Sequence, residues 1–493
     1  MRKILLALLS MSAYFGFAQT SDDLYRSVQT TYSGSARAQA LGGAAGFLKG
    51  DLSAIYSNPA AGALFDYGAF SSSFSLGTTG NTTTTGDLTN PSRKADASIN
   101  QAGGLLVFVS EQSDWNKIAI GFSYQQEDTY RGSIKAAGLS ETGMDQYFVQ
   151  LAEGQLAADV LAFQNEFIEE AYLRVGAESG YAAQQTLLGL YGGMLSLDEG
   201  AFFSNASYSS VFQRYESQTK GKRGTYQIHG SASYKNKWLF GASLNIQDIN
   251  YERFTYIDEQ GYSTDSAVKS SLFDNYLFSE GIGVSARFGV LWNASDAFGL
   301  GVSYQTPTWF SMSDRTAQRF DTNNRLEDIS FINFGVINVY DDYTLKLPSA
   351  LTVNAKIQIT KNSLFLLDYQ RQNFGDAQLL PNSDPGFNAQ NVSQSKTYST
   401  VEDYRMGFEL DLGRYLYRLG YAIKTAPYIN SDLGKQNLLG TGIGISYGPS
   451  TLDIGITYQT SNDRVYFFDQ LLPNAAEIKN RRLSAVVTYT FSL

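Results

Sequence analysis

The chain ends RRLSAVVTYTFSL, Arg481–Leu493. Leu483, Ala485, Val487, Tyr489, Phe491 and Leu493 fall on one face, and Ser484, Val486, Thr488, Thr490 and Ser492 on the other. A period of two is the signature of a β-strand. Termini of soluble domains fray, whereas this one closes on an apolar, aromatic strand. Such a strand is expected where it must pair with the first strand, so that no sheet edge is left open.

Working back along the chain, the same alternation recurs. Ile118, Ile120, Phe122 and Tyr124 alternate with Lys117, Ala119, Gly121 and Ser123. Val284–Trp292, Phe298–Tyr304, Leu351–Ile359 and Leu452–Tyr458 repeat it. Between strands, short turns at 111–114, 235–237, 293–297, 360–362, 412–413 and 448–450 alternate with longer polar loops. The loops lie near 77–100, 127–221, 251–280, 306–347, 373–400, 426–438 and 461–480. These connections imply fourteen strands. Short turns on one side and long loops on the other predict an all-β fold: a fourteen-stranded antiparallel transmembrane β-barrel occupying residues 66–493.

Composition agrees. The 493 residues include 33 Tyr, 31 Phe and 46 Gly but 9 Pro, as expected of many strands with aromatic bands. There is no cysteine and one histidine, which excludes disulfides, thiolate catalysis and a multi-histidine metal site. A net charge of −10 without a basic patch speaks against nucleic acid. No nucleophile or nucleotide motif is evident, so neither an enzyme nor a cofactor is expected.

The N-terminus reads as a signal peptide over residues 1–18. Arg2-Lys3 is its basic start, Ile4–Phe17 its apolar run, and Gly16-x-Ala18 a small-residue cleavage site. The mature chain then carries GSARAQALGGAAGFLKGDLSAIYSNPAAGALF, Gly34–Phe65. This stretch is too rich in small residues to build a core and too apolar for a free tail. Within loop 127–221, Leu156, Val160, Phe163 and Phe167 recur at helical spacing, predicting helices over roughly 143–175 and 180–195.

These features together resemble the FadL/OmpP1/TodX family of outer-membrane hydrophobic-compound transporters. The resemblance is carried by GSARAQALGGA, by DLSAIYSNPAA with its Asn58-Pro59-Ala60, and by Tyr304-Gln-Thr-Pro307 followed by Leu347-Pro348. It implies an N-terminal hatch over 19–65 plugging the barrel, with Asn58, Pro59 and Ala60 as the hatch motif. It implies passive uptake of a hydrophobic small molecule, a long-chain fatty acid or hydrocarbon, in the outer membrane of a Gram-negative bacterium. The ligand would be captured by extracellular loop helices and released past the hatch or sideways, where a strand kink near Gly121 is the place to look. The stripe Leu156, Val160, Phe163 and Phe167 is the candidate capture surface, with helix-on-helix packing as its plainer reading.

Strand alternation aims Lys117, His229, Arg287, Lys356, Asp368, Arg405, Glu409, Arg418 and Asp453 at the lumen. Arg287, Lys356, Arg405, Glu409, Arg418 and Asp453 are the expected lumen and hatch contacts. Most simply they form an ionic network; more sharply, Arg405 or Arg418 would meet a ligand carboxylate. A second function class remains: a non-transporting barrel of this fold, serving as an accessory subunit of a secretion or assembly complex. Its protein partners would bind through the large insertion, and outer-membrane lipid would surround either form.

Overall fold

The computed structural model describes residues 26–27, 31–324, 336–468 and 471–493. The signal-peptide reading of 1–18 lies outside the described residues. Fourteen wall strands close into one antiparallel barrel. They are β1 Ala69–Thr85, β2 Leu88–Val109, β3 Trp115–Thr129, β4 Val211–Tyr234, β5 Trp238–Gln260, β6 Ser270–Asn293 and β7 Phe298–Gln305. They continue as β8 Ala350–Thr360, β9 Ser363–Asn373, β10 Thr400–Asp411, β11 Tyr415–Lys424, β12 Gln436–Tyr447, β13 Ser450–Tyr466 and β14 Ala475–Ser492. Strand β14 pairs with β1 from Ala69↔Ser492 to Thr84↔Glu477, so the terminal strand removes both edges.

Several strands are broken and continue outward. Gly132–Ser140 extends β3, and Thr308–Thr322 extends β7 beyond Thr306-Pro307. Tyr343–Leu347 lies beyond Pro348 on β8 and pairs with the β7 extension. The Tyr304–Pro307 and Leu347-Pro348 text thus marks two breaks side by side. Proline cannot donate to the ladder, and strand rows tolerate it at such interruptions.

The outward faces form an apolar band. Trp115, Trp238, Trp292, Phe298, Tyr415, Tyr447 and Tyr489 lie exposed near the short turns. Tyr226, Tyr304, Tyr404, Tyr421 and Tyr458 form the opposite girdle, and the register Tyr421↔Leu439↔Tyr458↔Leu483 carries it around the wall. Aromatic belts at both edges of an apolar band mark the two membrane interfaces. No helix among the described residues is long and apolar enough to cross a membrane; the crossing elements are strands.

Two sequence expectations are corrected. Residues 77–100 do not form a long loop: β1 and β2 run through them and turn at Gly86-Asp87. The segment is threonine-rich, and β-branched side chains favour strands even where neither face is apolar. The insertion is likewise shorter than 127–221, because the β3 extension and the start of β4 take residues up to Ser140 and from Val211.

Its helices are α3 Asp145–Ala152, α4 Ala157–Val160 and α5 Ile168–Tyr191, following two shorter helices, α1 Ala36–Ala40 and α2 Leu52–Ser57, near the N-terminus. Gly154 at φ +79° and Asn165 at φ 68° interrupt the helix expected there. Arg174 lies 3.7 Å from the Phe163 ring and pairs with Glu166 at 2.7 Å. Its hydrogen bond holds the Glu166 carboxyl below the usual carboxylate range.

The insertion caps the outer mouth with an apolar core of Tyr147, Phe148, Leu187 and Leu188 against Phe273 and Phe320 of the walls and Phe468. Phe148 is fully buried, 4.6 Å from the Phe320 ring centre. Phe148→Ala is expected to cost the cap about 3–5 kcal/mol. The loss should appear as reduced hydrogen-exchange protection of the Asp145–Ala152 amides while the wall strands keep theirs.

Candidate functional site

The N-terminal segment lies inside the barrel and is held there residue by residue. Ser35 caps α1 by accepting from the Ala38 N–H at 2.9 Å, and donates to Asp51 at 2.6 Å. Asp51 in turn caps α2 by accepting from the Ser53 N–H at 2.8 Å. These caps fold the segment back on itself. Asn58, fully buried, donates to the Val302 carbonyl at 3.2 Å and to Asn354 Oδ1 at 3.1 Å, while its own Oδ1 accepts from the Ala60 N–H at 3.1 Å. Pro59 and Ala60 begin a 3-10 turn, Pro59–Leu64, pressed on Gly241 of β5.

Glycines in the wall make this fit. A Cβ on Gly420 of β11 would stand 2.0 Å from the Leu41 carbonyl carbon and 2.1 Å from the Gly42 nitrogen. Both contacts are backbone, which cannot swing aside. Gly420→Ala is therefore expected to dislodge the segment. The check is limited trypsin cleavage after Arg37 in a barrel whose gel mobility is unchanged; wild-type resistance in the variant would refute the fit.

Charges complete the lock. Arg37 of α1 gives both Nε and Nη2 to Glu409, at 2.8 and 2.6 Å. Arg418 donates to Glu409 and to Asp453, each at 2.6 Å. Asp368 accepts from the Ala45 and Gly46 amides at 2.9 and 3.0 Å. Arg405 pairs with Asp403 at 2.7 Å, and Asp403 accepts from Tyr32 at 2.8 Å. Lys117 pairs with Asp66 at 3.1 Å, and Lys356 stands 5.7 Å from the Phe47 ring.

The structure thus brings Arg405, Glu409, Arg418 and Asp453 into the ionic network against the segment. Arg287 differs: it donates to Gln305 and lies 4.7 Å from the Tyr56 ring, with no carboxylate beside it among the described residues. It lines a small polar pocket of ≈100 Å³ above the segment, together with Arg405, Tyr56 and Gln247. His229 is buried against the 3-10 turn, and neither ring nitrogen has a hydrogen-bond partner among the described residues.

Sequence reading missed the partners. Arg37 sits within the GSARAQALGGA text but gives no sign of meeting Glu409, 372 positions away. Glu127, counted as loop, is a buried lumen residue. It pairs with Arg223 at 2.9 Å and accepts from Tyr56 at 2.7 Å.

The four residues proposed for capture do not form one helical face. Val160 is buried, whereas Leu156, Phe163 and Phe167 are 59, 58 and 71% exposed in the irregular segments flanking α4. Three of them are therefore open apolar side chains, and the fourth is core.

The wall is interrupted between β2 and β3. Their ladder runs only from Val109↔Lys117 to Gln101↔Gln125. Beyond it β2 pairs with β1 alone, while β3 bulges between Gln126 and Asp128 and stays with β4. The kink expected near Gly121 is not there: Gly121 is regularly paired with Leu105 and His229. Instead the break falls at 126–131. Opposite it Gly221, at φ +125°, brings β4 so close to β5 that a Cβ would lie 2.0 Å from the Asn250 carbonyl oxygen.

The β3 extension passes behind the β1–β2 hairpin, where Asn81 and Ser92 donate to the Ser133 carbonyl at 2.8 and 2.6 Å. Outside the break lies a cleft of ≈830 Å³; inside lies a lumenal chamber of ≈260 Å³. Both are lined by Thr129, Arg131 and Thr219. These three residues therefore stand between cleft and chamber at the interrupted wall.

The fold is a closed fourteen-stranded transmembrane β-barrel with aromatic girdles, its lumen filled by an N-terminal segment and its wall interrupted at the third strand, and in fold it matches solved FadL-type barrels. The solved structures with this fold include a FadL homologue of Pseudomonas aeruginosa, at 12% identity and TM-score 0.53 over 94% of this chain and 99% of that one. They also include the Pseudomonas putida toluene transporter TodX, at 13% identity and TM-score 0.51 over 94% and 99%. The CymD monoaromatic hydrocarbon channel is similar at 11% identity and TM-score 0.50 over 94% and 98%. No family model matches the sequence, and no curated protein does.

Proposed function

We propose that this barrel is a passive channel in the outer membrane of a Gram-negative bacterium, taking up long-chain fatty acids or similar hydrophobic molecules. The observation that carries the proposal is the interrupted β2–β3 wall, where an outward cleft and a lumenal chamber share Thr129, Arg131 and Thr219. An apolar molecule leaving there meets the groove of Ile99, Ala102 and Tyr226, which leads down toward hydrocarbon, and gains about 25 cal/mol per Å² of buried surface. Downward passage would have to displace the glycine-seated, ion-paired segment. Residues 19–65 act in this reading as a hatch that stays closed. Leu156, Phe163 and Phe167 act as the first apolar contact outside.

The lining of chamber and pocket is largely hydroxyl, amide and charged. That favours an amphipathic substrate, and Arg287 and Arg405 are the pocket cations that a carboxylate would meet. The test is uptake of labelled oleate and of labelled toluene in cells with and without the protein. Uptake of neither above background would end the transport reading.

The ion-filled lumen and exposed Leu156, Phe163 and Phe167 also suit the accessory-subunit reading. A stoichiometric protein partner that is lost with Phe163→Ser and Phe167→Ser, with no change in uptake, would select it.

A further inference from the structure

The rim of the side cleft is cationic. Lys94 of β2, Arg131 at the β3 break and Lys220 and Lys222 of β4 all line it, and all are exposed. Lys220 is paired with Glu252 at 2.6 Å. Lys94 and Arg131 have no carboxylate partner among the described residues; Lys222 stands 5.8 Å from the Tyr124 ring and within electrostatic reach of Asp248, without a direct ion pair.

Directly below, Tyr124 and Tyr226 pack at 5.0 Å in the upper aromatic girdle, and Ile99, Ala97 and Ala102 floor the cleft. That floor runs on into the membrane-facing Phe122, Ile228 and Ile246. The cations therefore stand at headgroup height, above an apolar groove that opens toward hydrocarbon.

We propose that this cleft binds a phosphorylated glycolipid of the outer leaflet. Its phosphate would lie among Lys94, Arg131 and Lys222, and an acyl chain along Ile99 and Tyr226. Arginine and lysine together match a phosphate's oxygens, the first as a fork and the second as a point charge. Each cation near a membrane surface contributes about 1 kcal/mol toward an anionic lipid. A free phosphate would leave the apolar floor without a role, so the lipid is the occupant the cleft fits. The bound headgroup sits at the mouth of the wall break, and so lipid and departing substrate compete for one opening. The inference rests on the membrane placement of the barrel but not on what it transports.

Native mass spectrometry of the detergent-solubilised protein tests it, with bisphosphorylated lipid A, its dephosphorylated form and inorganic phosphate as probes. The bisphosphorylated lipid is expected to bind at least about tenfold tighter than the dephosphorylated one. The variant Lys94→Gln, Arg131→Gln, Lys222→Gln should weaken it about a hundredfold, as three cations at about 1 kcal/mol each imply. All three side chains are exposed, and unchanged heat-modified gel mobility verifies folding. Equal binding of the two lipids, or of wild type and variant, would overturn the proposal, as would inorganic phosphate binding as tightly as the lipid. Oleate uptake measured on the wild-type protein separates the two ideas. Uptake retained without lipid binding refutes only this site, and lipid binding without uptake refutes only the channel.

Discussion

Joining Ile99→Cys to Gln126→Cys with a short bismaleimide is expected to reduce uptake to that of cells lacking the protein. Both positions line the side cleft, on opposite lips of the β2–β3 break. The native chain has no cysteine, so no other thiol competes. The comparison that gives the result meaning is a tether of the N-terminal segment, Ser53→Cys with Gln101→Cys, whose native side-chain oxygens lie 3.2 Å apart. That tether should leave uptake intact, because the proposed route never requires the segment to move. The effect of the first tether should be about tenfold or more, and reducible maleimide analogues should restore transport. If the segment tether blocks uptake and the wall tether does not, the route runs past the hatch and the side opening is structural only.

Arg418→Met should be the most damaging single substitution in the lumen. Its guanidinium is 1% exposed and joins Glu409 to Asp453, each at 2.6 Å. Removing it leaves two carboxylates facing each other without their shared cation, although Arg37 still holds one side of Glu409. Breaking a buried pair by deleting one partner costs about 3–5 kcal/mol, most of it the stranded charge. Urea unfolding of the refolded barrel, followed by gel mobility and tryptophan fluorescence, reads this directly. Adding Asp453→Asn to Arg418→Met should recover most of the loss, since Arg37 still neutralises Glu409 and no unpaired carboxylate then remains. A loss under about 1 kcal/mol in the single variant would mean that water already reaches the triad and screens it.

The readable and unreadable parts of the molecule divide along one physical line. Strands such as Leu483–Phe491 and Ile118–Tyr124 have lipid on one side and the lumen on the other, so their alternation is strict and their short turns fall where expected. The β1–β2 hairpin escapes this rule. Above the band its residues meet water or the β3 extension on both faces, so polarity stops alternating although pairing continues from Gly77↔Asp96 to Thr85↔Leu88. The Leu156–Phe167 stripe misleads for the converse reason. The spacing is helical, but Gly154 and Asn165 take left-handed backbone and an Arg174–Glu166 pair folds the chain back on itself.

The lumen shows the same division at the level of side chains. Alternation predicts that Arg405, Glu409, Arg418 and Asp453 point inward, and they do so. Which of them meets Arg37 and which glycine seats Leu41 depend on residues hundreds of positions apart, and where the third strand leaves the wall depends on pairings with both neighbouring strands. By itself the sequence determined the strand count, the inward and outward faces and the small-residue composition of Gly34–Phe65, because each follows from local spacing against two solvents. Only the tertiary structure decided that the segment is locked and that the wall opens at 126–131. Closing a barrel sets register globally, and contacts across the lumen exist only once it has closed.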